Sequence, residues 1–213
     1  VKNGVYRENL PLRVPAGVTV QGESLRGTEI RPGTGTGHQI KTISSISGGT
    51  GGTPGTYNYL HQNSTTGAGN GVVVNVVTDG SSTPTVTIYH GGYGYVGSEQ
   101  VTINGATKLG GASNLTFSVA SLENNDASNM FLCNNQTNIV QMTMKGLTGT
   151  PGAGATSKAA VVSLDPSGSI TTASPYIQNC SSVNAGATGI QIDGLLHSAG
   201  NKSILCNDYT QIN

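Results

Sequence analysis

A cysteine that returns in one setting is the feature that most restricts how this chain can fold. Met130-Phe131-Leu132-Cys133-Asn134-Asn135 is echoed by Tyr176-Ile177-Gln178-Asn179-Cys180-Ser181-Ser182 and again by Ser203-Ile204-Leu205-Cys206-Asn207-Asp208. Each copy is a short apolar strand whose cysteine is followed by small polar residues. Cys180 and Cys206 stand 26 residues apart, and Cys133 and Cys180 stand 47 apart, close to twice that. Repeats of about 20–50 residues signal solenoids or arrays, whose units bury their apolar faces only against their neighbours. A strand-rich repeat of this length suits one coil of a parallel β-helix. The expectation is one inward-facing column of thiols: Cys133, Cys180 and Cys206.

Composition agrees with strands and turns. Only 9% of the 213 residues are charged and the formal net charge is zero, whereas disordered chains usually carry high net charge. Val, Ile and Thr sit in short runs between clusters drawn from 32 glycines, as strands joined by turns do. A neutral chain lacks the basic face that phosphate neutralisation needs, so no nucleic-acid partner is expected. No apolar run approaches the roughly 18 residues that would span a bilayer, so no membrane insertion is expected. No signal peptide is visible.

Three cysteines cannot all pair within the chain. Equivalent positions on neighbouring coils would lie about 4.8 Å apart, near disulfide spacing. A Cys180–Cys206 disulfide therefore competes with a stack of small, buried thiols. No CxxC or HxxxH spacing accompanies them, so no metal site and no cofactor is expected. Val1 begins inside strand-like sequence and no atypical capping unit is visible, so the chain reads as a piece of a longer protein.

Three stretches differ in rhythm. Residues 1–37 read as β-helix coils, with strands such as Gly4-Val5-Tyr6-Arg7-Glu8 and Val18-Thr19-Val20-Gln21. In the latter, Val18 and Val20 share one face. Residues 38–126 read as an inserted, glycine-rich antiparallel β module. Its longer strands include Gly71–Val77 and Thr85–Tyr89, with Asp79-Gly80 between them where a hairpin turn belongs. Residues 127–213 return to β-helix coils. The fold expectation is all-β: a right-handed parallel β-helix, a single-stranded solenoid, with one small antiparallel insert.

Few residues suggest chemistry. Gly92, Gly94 and Gly97 form a GxGxxG, but Ser98–Ile103 reads as another strand rather than the helix a dinucleotide site requires. It is read as a strand-to-strand turn. The four histidines, His38, His61, His90 and His197, are scattered and read as surface or loop residues. No close carboxylate pair marks the coils, so no catalytic residue is assigned. Asp165, Asp193 and Asp208 are the candidates that neighbouring coils could bring together as a glycosidase pair. Tyr57, Tyr59, Tyr89, Tyr93 and Tyr95 gather in the insert and are the candidate binding patch, competing with packing on their own sheet. Asn-X-Ser/Thr triplets are expected by chance in so Asn-, Ser- and Thr-rich a chain and say little about secretion.

Three passages carry a resemblance. Asn3 to Glu23, including Val14-Pro15-Ala16-Gly17-Val18-Thr19-Val20-Gln21-Gly22, resembles the opening coil of pectate-lyase-like right-handed β-helices. Its continuation, Leu25-Arg26-Gly27-Thr28-Glu29-Ile30-Arg31-Pro32, is similar to sequence in structural proteins of tailed phages, notably myoviruses of marine cyanobacteria. Gly91-Gly92-Tyr93-Gly94-Tyr95-Val96-Gly97 through Leu115-Thr116-Phe117-Ser118-Val119 resembles a glycine-rich β module of those phages' large virion proteins, and Asn129 to Asn213 resembles their β-helix coils. The opening also resembles that of pectin methylesterases, but their catalytic aspartates and arginine find no matching motif here. The calcium-binding aspartates of pectate lyases find none either. The resemblance implies a tail, fibre or baseplate component of a virion, assembled in the host cytoplasm. It further implies a homotrimer that contacts other virion proteins or host-surface polysaccharide.

Structural or adhesive work without catalysis is therefore expected. A tailspike-like polysaccharide depolymerase, hydrolase or lyase, is the enzymatic alternative. A bacterial surface adhesin of the same fold is a second.

Overall fold

A computed structural model of the protein describes residues 1–133, 136–147, 159–163, 176–185, 188–192, 205–207 and 210–212. The chain is mostly β-strand, and the described residues include one short α-helical turn, Gly105–Lys108, and one 3₁₀ turn, Asn125–Ala127. The all-β expectation is met. Two compact units form: Val1–Gly37 with the described chain from Asn124 onward, and His38–Glu123.

The first unit begins with β1 (Gly4–Glu8), β2 (Leu12–Val14), β3 (Thr19–Gln21) and β4 (Thr28–Pro32). It continues with β12 (Phe131–Cys133), β13 (Asn138–Val140), β14 (Thr143–Leu147), β15 (Ala159–Ser163) and β16 (Tyr176–Gln178). The remaining strands are β17 (Ser181–Ala185), β18 (Thr188–Ile192), β19 (Leu205–Asn207) and β20 (Thr210–Ile212). They form three sheets, ordered β1-β4-β14-β17-β20, β2-β12-β15-β18 and β3-β13-β16-β19. Every pairing within these three sheets is parallel. The chain visits first, second and third sheet in that order and then begins again.

Alternation along each strand sends apolar side chains inward in columns. Tyr6, Ile30 and Met144 stand opposite one another on neighbouring strands, as do Val20, Ile139 and Ile177. Val14 opposes Cys133. These residues belong to or pack against one core with Leu10, Phe131, Met142, Leu147 and Cys180. Val20 reaches that core, whereas Val18 lies outside β3 and is exposed, so the two do not share a buried face.

The turn from the third sheet back to the first is made by Gln141 (φ 59°) and, at the next such return, by Asn179 (φ 50°). The left-handed region costs an L-residue about 1–2 kcal/mol, and glycine avoids that cost while losing more backbone entropy on folding. We expect Gln141→Gly to raise the unfolding free energy by about 0.5–1 kcal/mol, read as a higher thermal midpoint. A lower midpoint would mean that the glutamine side chain, not the backbone, holds this corner.

The cysteine column is corrected by the register. Cys133 ends β12 in the second sheet, opposite Val14 and Ser163. Cys206 lies in the third sheet, opposite Ile177 and 29 positions beyond it. Cys180 is past the end of β16, at the corner where Ser181 N–H donates to Met142 O at 3.1 Å. Cys133 and Cys180 are both buried, but one ends a strand of the second sheet and the other lies at the corner leading back to the first. Each pass through the three sheets has three strand ends, and an apolar strand running into small polar residues marks any of them.

The second unit holds β5 (Thr36–Gly48), β6 (Gly55–His61), β7 (Ser64–Thr65), β8 (Asn70–Thr78), β9 (Thr85–Tyr93), β10 (Gln100–Ile103) and β11 (Leu115–Asn124). They form two sheets, β5-β11-β10-β7 and β6-β8-β9. β10 pairs antiparallel with β7 and β11, and β8 pairs antiparallel with β6 and β9. Both sheets contribute to one core of Ile40, Val72, Val74, Val76, Tyr95, Val101, Ile103, Leu109, Leu115, Phe117 and Val119. Gly92 is the penultimate residue of β9, whereas Gly94 and Gly97 lie in the connection to β10, so a strand rather than a helix follows.

Asp79 organises the β8–β9 connection. Its carboxylate accepts from the Ser82 N–H (2.8 Å), the Ser82 hydroxyl (2.7 Å) and the Ser81 N–H (2.8 Å). Those donors hold the carboxyl well below its ordinary range, the Ser82 amide foremost.

The sequence places residues 124–126 in the insert, but the first unit claims them. Asn125 is fully buried, its N–H donates to Gly35 O at 2.9 Å, and its side-chain oxygen accepts from Leu10 N–H at 2.7 Å.

Candidate functional site

The predicted residues fall apart when placed in the fold. Tyr95 lies fully buried in the second unit's core, its hydroxyl accepting from Val72 N–H at 3.2 Å and donating to Gln62 Oε1. Burial raises its pKa further above the ordinary phenol value. Tyr57 packs against the same core and donates to Thr53 O at 2.8 Å. Tyr93 is half-buried at the end of β9. Only Tyr59 and Tyr89 touch ring to ring, edge-on, with centroids 4.7 Å apart. Both stand where the strand register shifts, Tyr59 with φ 58°. A five-tyrosine patch is not what the geometry gives; a two-ring patch is.

Asp165, Asp193 and Asp208 lie outside the described residues, as does His197. The other histidines are not surface residues of the kind the sequence suggests. His90 is buried, its Nδ1 accepting from Gly92 N–H at 3.1 Å, and His38 and His61 are half-buried within strands. Burial pushes the Cys133 thiol up to about 12, so it stays protonated at neutral pH and is no nucleophile. Among the described residues no group of three His, Cys, Asp or Glu side chains could hold a metal ion.

The described polar site that the sequence reading missed lies on the first parallel sheet. Arg7 and Arg31 are direct partners on β1 and β4. Lys145 follows Met144, the partner of Ile30, and so continues the row on β14. Tyr6, Ile30 and Met144 point to the core, so alternation turns the three cations outward. Glu29, one outward position back, bonds to Arg31 Nε. That hydrogen bond holds the Glu29 carboxyl below its ordinary value; partial burial opposes the effect, and the charges of Arg31, Lys145 and Arg7 reinforce it. Beside this row opens a cleft of about 480 Å³, lined by Arg7, Arg31, Thr34, Asn124 and Asp126, with Gly33, Gly35 and Gly146 leaving backbone at the surface.

The arrangement suits binding rather than bond-making. It offers guanidinium and ammonium donors on an exposed face, with hydroxyl, amide and carboxylate groups alongside. The legible signal is an apolar residue followed by a cation, Tyr6-Arg7, Ile30-Arg31 and Met144-Lys145. Comparison with protein-family models, with curated proteins and with solved structures finds no match.

Proposed function

We propose that the first unit is a right-handed parallel β-helix and that the chain is a non-enzymatic structural and adhesive part of a tailed-phage virion, of the pectate-lyase-like tail, fibre or baseplate type. The observation that carries this reading is the fixed cycle through three parallel sheets, each new strand pairing with the one a coil earlier. Parallel crossover connections are almost always right-handed. A winding of this kind satisfies the backbone hydrogen bonds of each coil on the coils beside it, giving a rod. The second unit, spliced in between β4 and β12, is the part such a rod would present to a host surface or to neighbouring virion proteins. Three chains side by side, the assembly common in phage β-helices, would make the working unit.

Antibody raised against residues 38–123 should decorate the tail of intact particles of the encoding phage in electron micrographs. Light scattering of the purified chain should give three times the monomer mass of 21.6 kDa. Absence of label from intact particles would remove the virion assignment, and a monomeric mass would remove the trimer. Release of new reducing ends from host-surface polysaccharide would replace the non-enzymatic reading with the depolymerase.

A further inference from the structure

We propose that the outward face of the first parallel sheet binds an acidic polysaccharide, its carboxylates or sulfates meeting Arg7, Arg31 and Lys145 in turn while the adjoining cleft takes a sugar ring. Parallel strands are about 4.8 Å apart, so the row repeats its positive charge at a step close to the length of one pyranose ring. Arginine's planar fork matches a carboxylate with two parallel hydrogen bonds. Glu29 occupies Arg31 Nε, which leaves that guanidinium's terminal donors available, and neither Arg7 nor Lys145 is bonded to a carboxylate among the described residues.

Among the described residues the acidic groups here are Glu29, bonded to Arg31, and Asp126 on the cleft wall. They argue against a ligand that is all phosphate. Asn124 and Thr34 instead suit a ligand that brings hydroxyls as well as anionic groups. Among the described residues no aromatic ring lines the cleft to provide the stacking that holds single-stranded nucleic acid. The row also ends within the described strands: Val183 stands opposite Lys145 on β17, which sets the charged stretch at three rungs. In a chain of zero net charge the row is a local feature and not a reflection of a basic protein.

This deepens the adhesive reading by naming a ligand class, yet the two can fail separately, because binding is measured on the purified chain and the virion assignment on particles. Affinity electrophoresis and titration calorimetry would use sodium alginate as the polyuronate, dextran as the neutral polymer and single-stranded DNA as the competing polyanion. Alginate should retard the chain in a salt-dependent manner, and dextran should not. The Arg7→Ala/Lys145→Ala variant should bind alginate about tenfold more weakly or worse, the scale of one lost charge-assisted hydrogen bond, at an unchanged melting temperature. Arg7→Gln/Lys145→Gln provides the same loss of charge with less loss of packing, should the alanine pair fold poorly. No retention on alginate, equal retention on dextran, stronger retention on DNA, or parental affinity in a folded charge-deleted variant would each overturn the proposal.

Discussion

Asn125→Leu is expected to lower the stability of the chain by about 3 kcal/mol, the cost of orphaning buried hydrogen-bonding groups. Its side-chain oxygen accepts from the buried Leu10 N–H at 2.7 Å, and its amide donates to Asn9 Oδ1 at 3.2 Å and Thr34 O at 3.4 Å. Leucine has the same branching and the same number of side-chain heavy atoms, so no cavity forms; its bulkier methyl groups add crowding to the polar loss. For a chain of this size the change corresponds to a fall of roughly 6–12 °C in thermal midpoint. Asn125→Asp separates the donor from the acceptor. It keeps an oxygen for Leu10 N–H but turns a second oxygen toward two carbonyl-type acceptors, which raises the folded-state pKa of the new carboxyl. Stability of that variant should therefore be best in acid. It should be lost as pH rises from the ordinary aspartate value of about 4 through the raised folded value. Equal midpoints for parent and Asn125→Leu would show that this asparagine does not hold the returning chain.

Asn125 also explains what could and could not be read from residues alone. The alternation of Tyr6, Ile30, Met144, Val20 and Ile139 is visible as short apolar strands between glycines, and it gives the all-β class and the inward columns. The passage into longer alternating strands near residue 38 is visible as well, because Gly71–Val77 and Thr85–Tyr89 lack the short coil rhythm. The end of the insert is not visible. Its boundary depends on one polar residue whose partners at Asn9, Leu10, Thr34 and Gly35 lie about ninety residues or more back along the chain. Register was misread for a related reason. Cysteine is small and apolar, so it is tolerated at a strand end, a strand centre or a corner alike, and its spacing carries no information about which. The partner pair Ile177–Cys206 shows the true step, three residues longer than the cysteine spacing.

The site was harder still. Arg7 and Arg31 are partners on neighbouring parallel strands, but Lys145 is separated from them by the whole insert, so no period in the sequence connects the three. Without the parallel register they are three scattered cations in a neutral chain. The tyrosines misled in the opposite direction. Five of them are close in sequence, yet successive strand positions face opposite sides of a sheet. Tyr95 turns into the core, where Gly69 has no side chain to obstruct its ring: a Cβ there would come within 2.0 Å of Tyr95 Cδ1. Tyr59 and Tyr89 remain together only because register shifts occur at both.

Glu99→Ala should be strongly damaging to the second unit, costing about 3 kcal/mol, the scale of leaving buried backbone donors without their acceptor. The carboxylate is buried, and three donors converge on it: Thr65 hydroxyl at 2.6 Å, Gly69 N–H at 2.8 Å and Val96 N–H at 3.0 Å. Gly69 precedes β8 and Val96 precedes β10, so one side chain fixes the entry to strands in both sheets. Removing it leaves two backbone donors without their acceptor, and alanine is too small to seal the space from water. Glu99→Gln tests the role of charge. The amide retains one oxygen for Gly69 N–H and the Thr65 hydroxyl, but its NH₂ meets the Val96 N–H as donor against donor, so an intermediate loss of about 1–2 kcal/mol is expected. Hydrogen exchange provides a local readout that a general loss of stability would not mimic. The amides of Gly69 and Val96 should exchange faster in Glu99→Ala under conditions where Val101 and Phe117, paired across β10 and β11, remain protected. Uniform acceleration across the unit would mean that Glu99 supports the core as a whole, and unchanged exchange at both amides would show that its hydrogen bonds contribute nothing to holding these strand entries.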